Sequence, residues 1–285
     1  MDRLSSSDGS IEVEILPEFG ARLHRLRAFG HDLLRTPRAA AEHERDGFFW
    51  GAYVMAPWCG RTASGTVHVA GRDVTLDANF PDGTAIHGQV HGRPWDRLEE
   101  GRYRVLGGGA GWPWPYAVEL SVDLRDRLLR LGLGLTNRSN ERMPAGLGLH
   151  PWFLRPVEVA FPASAVYPSN TASPPEPEPV VGDYDLRRLK PMPADLDASW
   201  TQLDNAPVVL QWPEAGVRAT VRASAPSLVV VAASPGEIDA VAVEPQTHAP
   251  QGLRRLLLGE PDAMTLVEPG ASLTLGIEMS FQPVP

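Results

Sequence analysis

Leu129-Arg130-Leu131-Gly132-Leu133-Gly134-Leu135 sets a leucine at every second position. Successive side chains of an extended chain point to opposite faces, so this spacing predicts a strand with one apolar face and one open face. The same period opens the chain at Ile11, Val13 and Ile15 and closes it at Leu273, Leu275, Ile277, Met279 and Phe281. Shorter β-rich runs fall at 67–69, 117–124, 157–161, 217–221, 228–231 and 241–243, and Gly or Pro punctuates nearly all of them. Many short strands with turn residues between them predict an all-β sandwich or barrel rather than alternating helices and parallel strands.

Two short helices are expected beside the strands: residues 37–45, with Thr36 as N-cap and Pro37 at the first helical position, and residues 251–258, stopped by Gly259. The stretch Pro174-Pro175-Glu176-Pro177-Glu178-Pro179 has too few ladder donors for a sheet interior and predicts an exposed loop over about 172–182. We read it as a loop inside one domain spanning 1–285, a length all-β architectures fill around one core.

Composition narrows the function. With 43% hydrophobic and 21% charged residues the chain can bury a core. A net charge of −9, with basic residues scattered, would repel a polyphosphate backbone, so no nucleic acid is expected as a partner. The single cysteine, Cys59, allows neither an intramolecular disulfide nor a thiolate metal cluster and suits a cytoplasmic protein. The first ten residues lack a signal-peptide pattern, and no run approaches the ~18 apolar residues of a membrane span.

Neither a Gly-x-Ser-x-Gly elbow nor a phosphate-binding glycine loop is present among the 27 glycines. His87 and His91 have the spacing of a helical zinc pair, but Gly88, Gly92 and Pro94 oppose a helix there. On a strand the same spacing separates the side chains by about 13 Å, so no metal is expected.

Three segments combine titratable side chains with Gly, Pro and Trp: Ala85-Ile86-His87-Gly88, Leu147-Gly148-Leu149-His150-Pro151-Trp152-Phe153 and Val241-Ala242-Val243-Glu244-Pro245-Gln246-Thr247. Proline restricts the residue before it to extended geometry and removes a ladder donor, which predicts His150 and Glu244 at strand ends near a rim. Taken one at a time, a structural histidine or an exposed strand-end carboxylate explains each better than catalysis does.

In this order and spread, the segments resemble the aldose 1-epimerase (galactose mutarotase-like) family over nearly the whole chain. Glu18-Phe19-Gly20-Ala21-Arg22-Leu23 resembles its opening strand and turn, Pro57-Trp58-Cys59-Gly60-Arg61 its substrate-binding arginine loop, and His87-Gly88 its histidine-glycine pair. Asn137 and His150-Pro151-Trp152-Phe153 resemble the segment with the catalytic histidine, and Leu196-Asp197-Ala198-Ser199-Trp200 a motif whose aspartate binds sugar hydroxyls. Glu244-Pro245-Gln246-Thr247 resembles the segment with the catalytic glutamate, and Glu268-Pro269-Gly270 the closing turn. Trp200 stands where the family has phenylalanine, and Cys59-Gly60 is an uncommon approach to the arginine.

The resemblance implies a large antiparallel β-sandwich of the galactose mutarotase-like supersandwich type and a cofactor-free isomerase acting on a small-molecule monosaccharide, as a monomer or homodimer. It implies Glu244 as base at the anomeric hydroxyl and His150 as acid at the ring oxygen, on opposite sides of C1. It implies Arg61, His87 and Asp197 as substrate-binding residues. Trp58 and Trp152, beside these, would offer flat apolar faces to the C–H side of a pyranose. Two rivals share the fold: a hexose-6-phosphate 1-epimerase, which needs a basic cluster that Arg93, Arg155 or Arg187-Arg188 would have to supply, and a non-catalytic sugar-binding protein.

Overall fold

The computed structural model describes residues 1–285, nearly all of them in or between antiparallel strands. An eleven-stranded sheet runs, neighbour to neighbour, Asp2–Ser5, Ile11–Leu16, Arg22–Ala28, Ala52–Met55, Gly148–Leu154, Ala240–Gln246, Val229–Ala233, Asp197–Leu203, Ala163–Tyr167 and Glu178–Pro179, with His31–Asp32 beside Arg22–Ala28. A nine-stranded sheet packs against it, centred on Trp112–Arg125, Leu128–Asn137, Ser272–Pro283 and Val217–Ser224. Leu129, Leu131, Leu133 and Leu135 join one core of 65 buried residues drawn from both sheets, which is the face the alternation predicts.

In the first sheet alternation does a second job. Ala52, Val54, Leu149, Phe153, Val230, Ala232, Val241 and Val243 belong to the large core, while the residues between them face the other way. That opposite face, bearing Tyr53, His150, Trp152, Glu244, Gln246 and Asp197, floors a cleft.

Several local expectations are corrected. The first helix is only Glu42–Arg45, and Ala41 rather than Thr36 precedes it. His43 is drawn inward, with its Nε2 2.9 Å from His24 Nδ1. The second helix, Gly252–Leu258, ends at Gly259 in the left-handed conformation as expected. The proline-rich segment is not wholly outside the sheets, because Glu178–Pro179 pairs with Val166 and Ala165. That strand is the outermost, where one side needs no donor, so proline is tolerated.

Candidate active site

His150 and Glu244 sit in the middle of the first sheet, not at strand ends. Gly148–Leu154 pairs with Ala52–Met55 through Pro151, and Ala240–Gln246 pairs with Val229–Ala233 through Pro245, so each proline-bearing strand keeps a continuous neighbour. Between these two strands the ladder is open from Gly148↔Gln246 to Trp152↔Ala242, with the register unchanged across the gap. That register sets His150 directly opposite Glu244 on the cleft face. Cross-strand partners are within side-chain reach, and His150 Nε2 lies 3.2 Å from Glu244 Oε1. The second carboxylate oxygen, Oε2, accepts from Gln246 Nε2 at 2.9 Å, two residues along the same face.

Both members are buried, at 4% exposure for His150 and 2% for Glu244, and burial disfavours their charged forms. Burial pushes the Glu244 carboxyl well above the usual range, the Asp197 charge adding to it and the Gln246 amide and Arg61 opposing it. Burial, joined by the Arg22 and His91 charges, lowers the His150 imidazole to about 3. Burial thus favours the neutral forms of both, a protonated carboxyl beside an unprotonated imidazole.

Above this floor, Arg61–Ala63 pairs with Thr84–Ile86, with Arg61 opposite Ile86, and His87 follows directly. His87 adopts φ 59, and Gly88 after it has φ 73, where an added Cβ would run into the Ala56 carbonyl. The pair thus needs its glycine for close approach as well as for the turn. His87 Nδ1 accepts the Gly60 N–H at 3.2 Å, and burial holds the imidazole neutral. Its proton is then on Nε2, making the ring a donor.

Arg61 donates through Nε to Asp82 Oδ2 at 2.7 Å, with Nη1 3.7 Å from Asp197 Oδ2. Burial raises the Asp197 carboxyl, opposed by the Asn170 hydrogen bond and by Arg61. Asn170 Nδ2 donates to Asp197 Oδ1, while Asn170 Oδ1 accepts from Ser199 Oγ at 2.5 Å. The cleft encloses about 410 Å³, room for a monosaccharide, and collects His150, Glu244, Arg61, His87, Asp197 and Trp152.

Trp58 is not among them. Its ring is 3% exposed and packs on Trp112 at 5.2 Å, beneath a separate surface hollow. Adjacency to Arg61 in sequence misled, because the chain turns at Cys59-Gly60 and sends the two side chains to different sides. Trp152 remains in the cleft, its indole N–H spent on the Phe48 carbonyl at 2.6 Å. Asn137 lies outside the cleft too, fully buried, donating to the Glu141 and Val267 carbonyls and so fixing the closing turn.

Residues 87–91 form a turn rather than a strand, so His87 and His91 both pack on Tyr53, with centroids at 5.8 and 5.4 Å. No group of three or more His, Cys, Asp or Glu side chains is arranged to hold a metal ion. Sequence reading missed Tyr53, Gln246, Phe48, Phe49, Asn170 and Asp82. Gln246 carried a signal, being two residues from Glu244 and hence on its face; the loop residues carried none.

The sequence matches the family model described as aldose 1-epimerase over residues 2–280. Among solved structures, the chain resembles an Escherichia coli K12 protein put forward as an aldose 1-epimerase (19% identity, TM-score 0.83, covering 99% of this chain and 98% of that one). It also resembles a galactose mutarotase-like protein from Clostridium acetobutylicum (16%, 0.83, 99% and 95%). A third is galactose 1-epimerase from Lactobacillus acidophilus NCFM (15%, 0.78, 98% and 93%). At such identities the likeness is one of fold. A search of curated proteins finds no match.

Proposed function

Because the chain belongs to the aldose 1-epimerase family, we propose that it is a mutarotase, interconverting the α and β anomers of a free aldose. The observation that carries this reading is the His150–Glu244 pair, two complementary proton carriers 3.2 Å apart on the floor of one cleft. Opening a cyclic hemiacetal removes the anomeric hydroxyl proton, breaks the C1–O5 bond with its electron pair going to the ring oxygen, and delivers a proton there. Both oxygens hang on C1. Acid and base must therefore both reach the C1 region, and the His150–Glu244 pair supports such a placement.

The pair's single proton can stand on either partner. With it on His150 Nε2, Glu244 is a carboxylate that takes the anomeric proton, and His150 gives its own to the ring oxygen. C1 becomes an aldehyde carbon, rotation about C1–C2 presents its other face, and closure runs with the roles reversed. Each group in such a role contributes typically ~10²–10⁴-fold. The His87 Nε2–H and the Arg61 guanidinium donate to the ring oxygen and hydroxyls, Asp197 accepts from hydroxyls, and Trp152 with Phe48 and Phe49 lies along the C–H face. The scheme uses no cofactor.

A free sugar is favoured over a sugar phosphate by the charges around the cleft. Asp195 and Glu237 line it, the Arg61 charge is engaged by Asp82 and Asp197, and Arg93, Arg155, Arg187 and Arg188 all lie elsewhere. A phosphate dianion would meet carboxylates without a free cation. The test is polarimetry on freshly dissolved glucose, galactose, arabinose and xylose beside NMR exchange on glucose 6-phosphate. Acceleration of free aldoses is expected. Acceleration of the phosphorylated sugar alone would overturn the substrate class, and binding without acceleration would make the protein a sugar binder.

A further inference from the structure

The segment 46–51 has no helix or strand in its middle, yet every one of four consecutive carbonyls accepts from a buried or half-buried side chain. Gly47 O takes Arg22 Nη2 at 2.5 Å, Phe48 O takes Trp152 Nε1 at 2.6 Å, Phe49 O takes Arg35 Nη1 at 2.5 Å, and Trp50 O takes Arg22 Nη1 at 2.8 Å. Asp46 Oδ1 accepts the N–H groups of Phe48 and Phe49. Each carbonyl from Gly47 to Trp50 thus has a side-chain donor in place of a ladder partner. The loop's two phenylalanines stand in the cleft, Phe48 against Phe80 and His91 and Phe49 against Trp152.

Arg22 is the clasp with the widest reach. It is 1% exposed, and its acceptors are two carbonyls and His43 Nδ1, all neutral. Burying a guanidinium on such terms is costly, and nothing in the acid–base chemistry uses it directly. The cation also lies 4.8 Å over the Tyr53 ring, and that ring stacks on His150 at 4.7 Å and 22°.

We propose that Arg22 is a positioning residue for anomer exchange, fixing the Phe48–Phe49 wall through the 46–51 loop and the His150 imidazole through Tyr53. The proposal rests on the mutarotase reading. Glu244, Tyr53, Trp152, His87 and His91 surround His150, the Arg61 and Asp197 charges oppose each other on Glu244, and the remaining fixed charge acting on the imidazole is the positive Arg22, behind Tyr53. It therefore also disfavours a second proton on the His150–Glu244 pair, the event that would end base catalysis in acid.

Two substitutions separate the two effects. Arg22→Gln keeps one amide donor and loses the charge, whereas Arg22→Lys keeps the charge but cannot span two carbonyls. Anomer exchange is measured by NMR from pH 2.5 to 8, with circular dichroism at each pH to verify folding. For Arg22→Gln the KM should rise about tenfold or more, as expected from losing a charged hydrogen bond, kcat should fall, and the acid limb should move to higher pH. For Arg22→Lys the KM should rise similarly with the acid limb near its original place. Folded variants with the original KM and profile would overturn the proposal, and if Arg22→Gln does not fold, an unchanged KM in Arg22→Lys does so alone. Arg35→Gln, which loosens the loop without touching Tyr53, should raise KM only; an equal acid-limb shift there refutes the Tyr53 link. A wild-type protein inert on every aldose sinks the functional reading and this proposal together, while an active one with indifferent Arg22 variants sinks this proposal alone.

Discussion

Replacing Glu244 by Gln should cost activity and add stability, a combination that follows from where this carboxyl sits. The amide can keep both contacts, accepting from Gln246 and meeting His150, so the shape of the floor survives. It cannot take a proton from a hydroxyl. Loss of one general base predicts a fall of ~10²–10⁴-fold in anomer exchange. Stability runs the other way. The buried Glu244 carboxyl titrates well above its ordinary value in the folded protein. Its contribution is therefore fully present below the unfolded pKa of about 4.3 and is lost as pH rises towards the folded one, at about 1.4 kcal/mol per pH unit. Gln carries no such loss, so Glu244→Gln should gain on the wild type as pH rises above about 4.3. NMR saturation transfer on glucose or galactose reads the first effect, and urea unfolding at three pH values reads the second. Activity within tenfold of wild type refutes the catalytic role; a variant that gains no stability with pH refutes the protonated resting carboxyl.

His91, His150 and His248 are held by burial to about 4, 3 and 4. Their stabilisation is present above the unfolded value of about 6.5 and lost as pH falls, by about 1.4 kcal/mol per unit for each. Urea unfolding from pH 7 to 5 should show a steep decline with proton uptake, and a flat profile would mean the rings are charged in the fold. Gly88→Ala should destabilise by about 2–4 kcal/mol through a clash with the Ala56 carbonyl at positive φ, seen as a lower Tm, with a raised KM from the displaced His87. Trp58→Phe should lower Tm while leaving KM alone, since that ring packs on Trp112 outside the cleft; a KM change as large as that of Trp152→Phe would return Trp58 to the sugar.

What the sequence disclosed and what it hid divide along one physical line. Period two in 129–135 and 273–281 named both the strands and their buried face, because alternation is a local property of the backbone. The same rule already sets His150 with Trp152, and Glu244 with Gln246, on the face away from Leu149, Val241 and Val243. It could not say that these two strands are neighbours, since register between segments about ninety residues apart is set by the packing of the whole sheet. Proline reads as a ladder stop from a true premise, the missing N–H, but a strand has two edges and a proline silences only one donor.

Phe48, Phe49 and Asn170 lay beyond reach for a different reason. No periodicity places them, because their loops are shaped by side chains elsewhere in the chain that seek out their carbonyls. Arg22 and Arg35 do this for one wall, and Arg255, 0% exposed, does it for the other by donating to Pro174 O, Pro175 O and Ser173 Oγ, just past Asn170. An arginine drawn inward to donate to main-chain oxygens is thus the trace that such a loop leaves in the sequence. The trace becomes readable only once burial is known, because an arginine on a surface strand is spelled the same way.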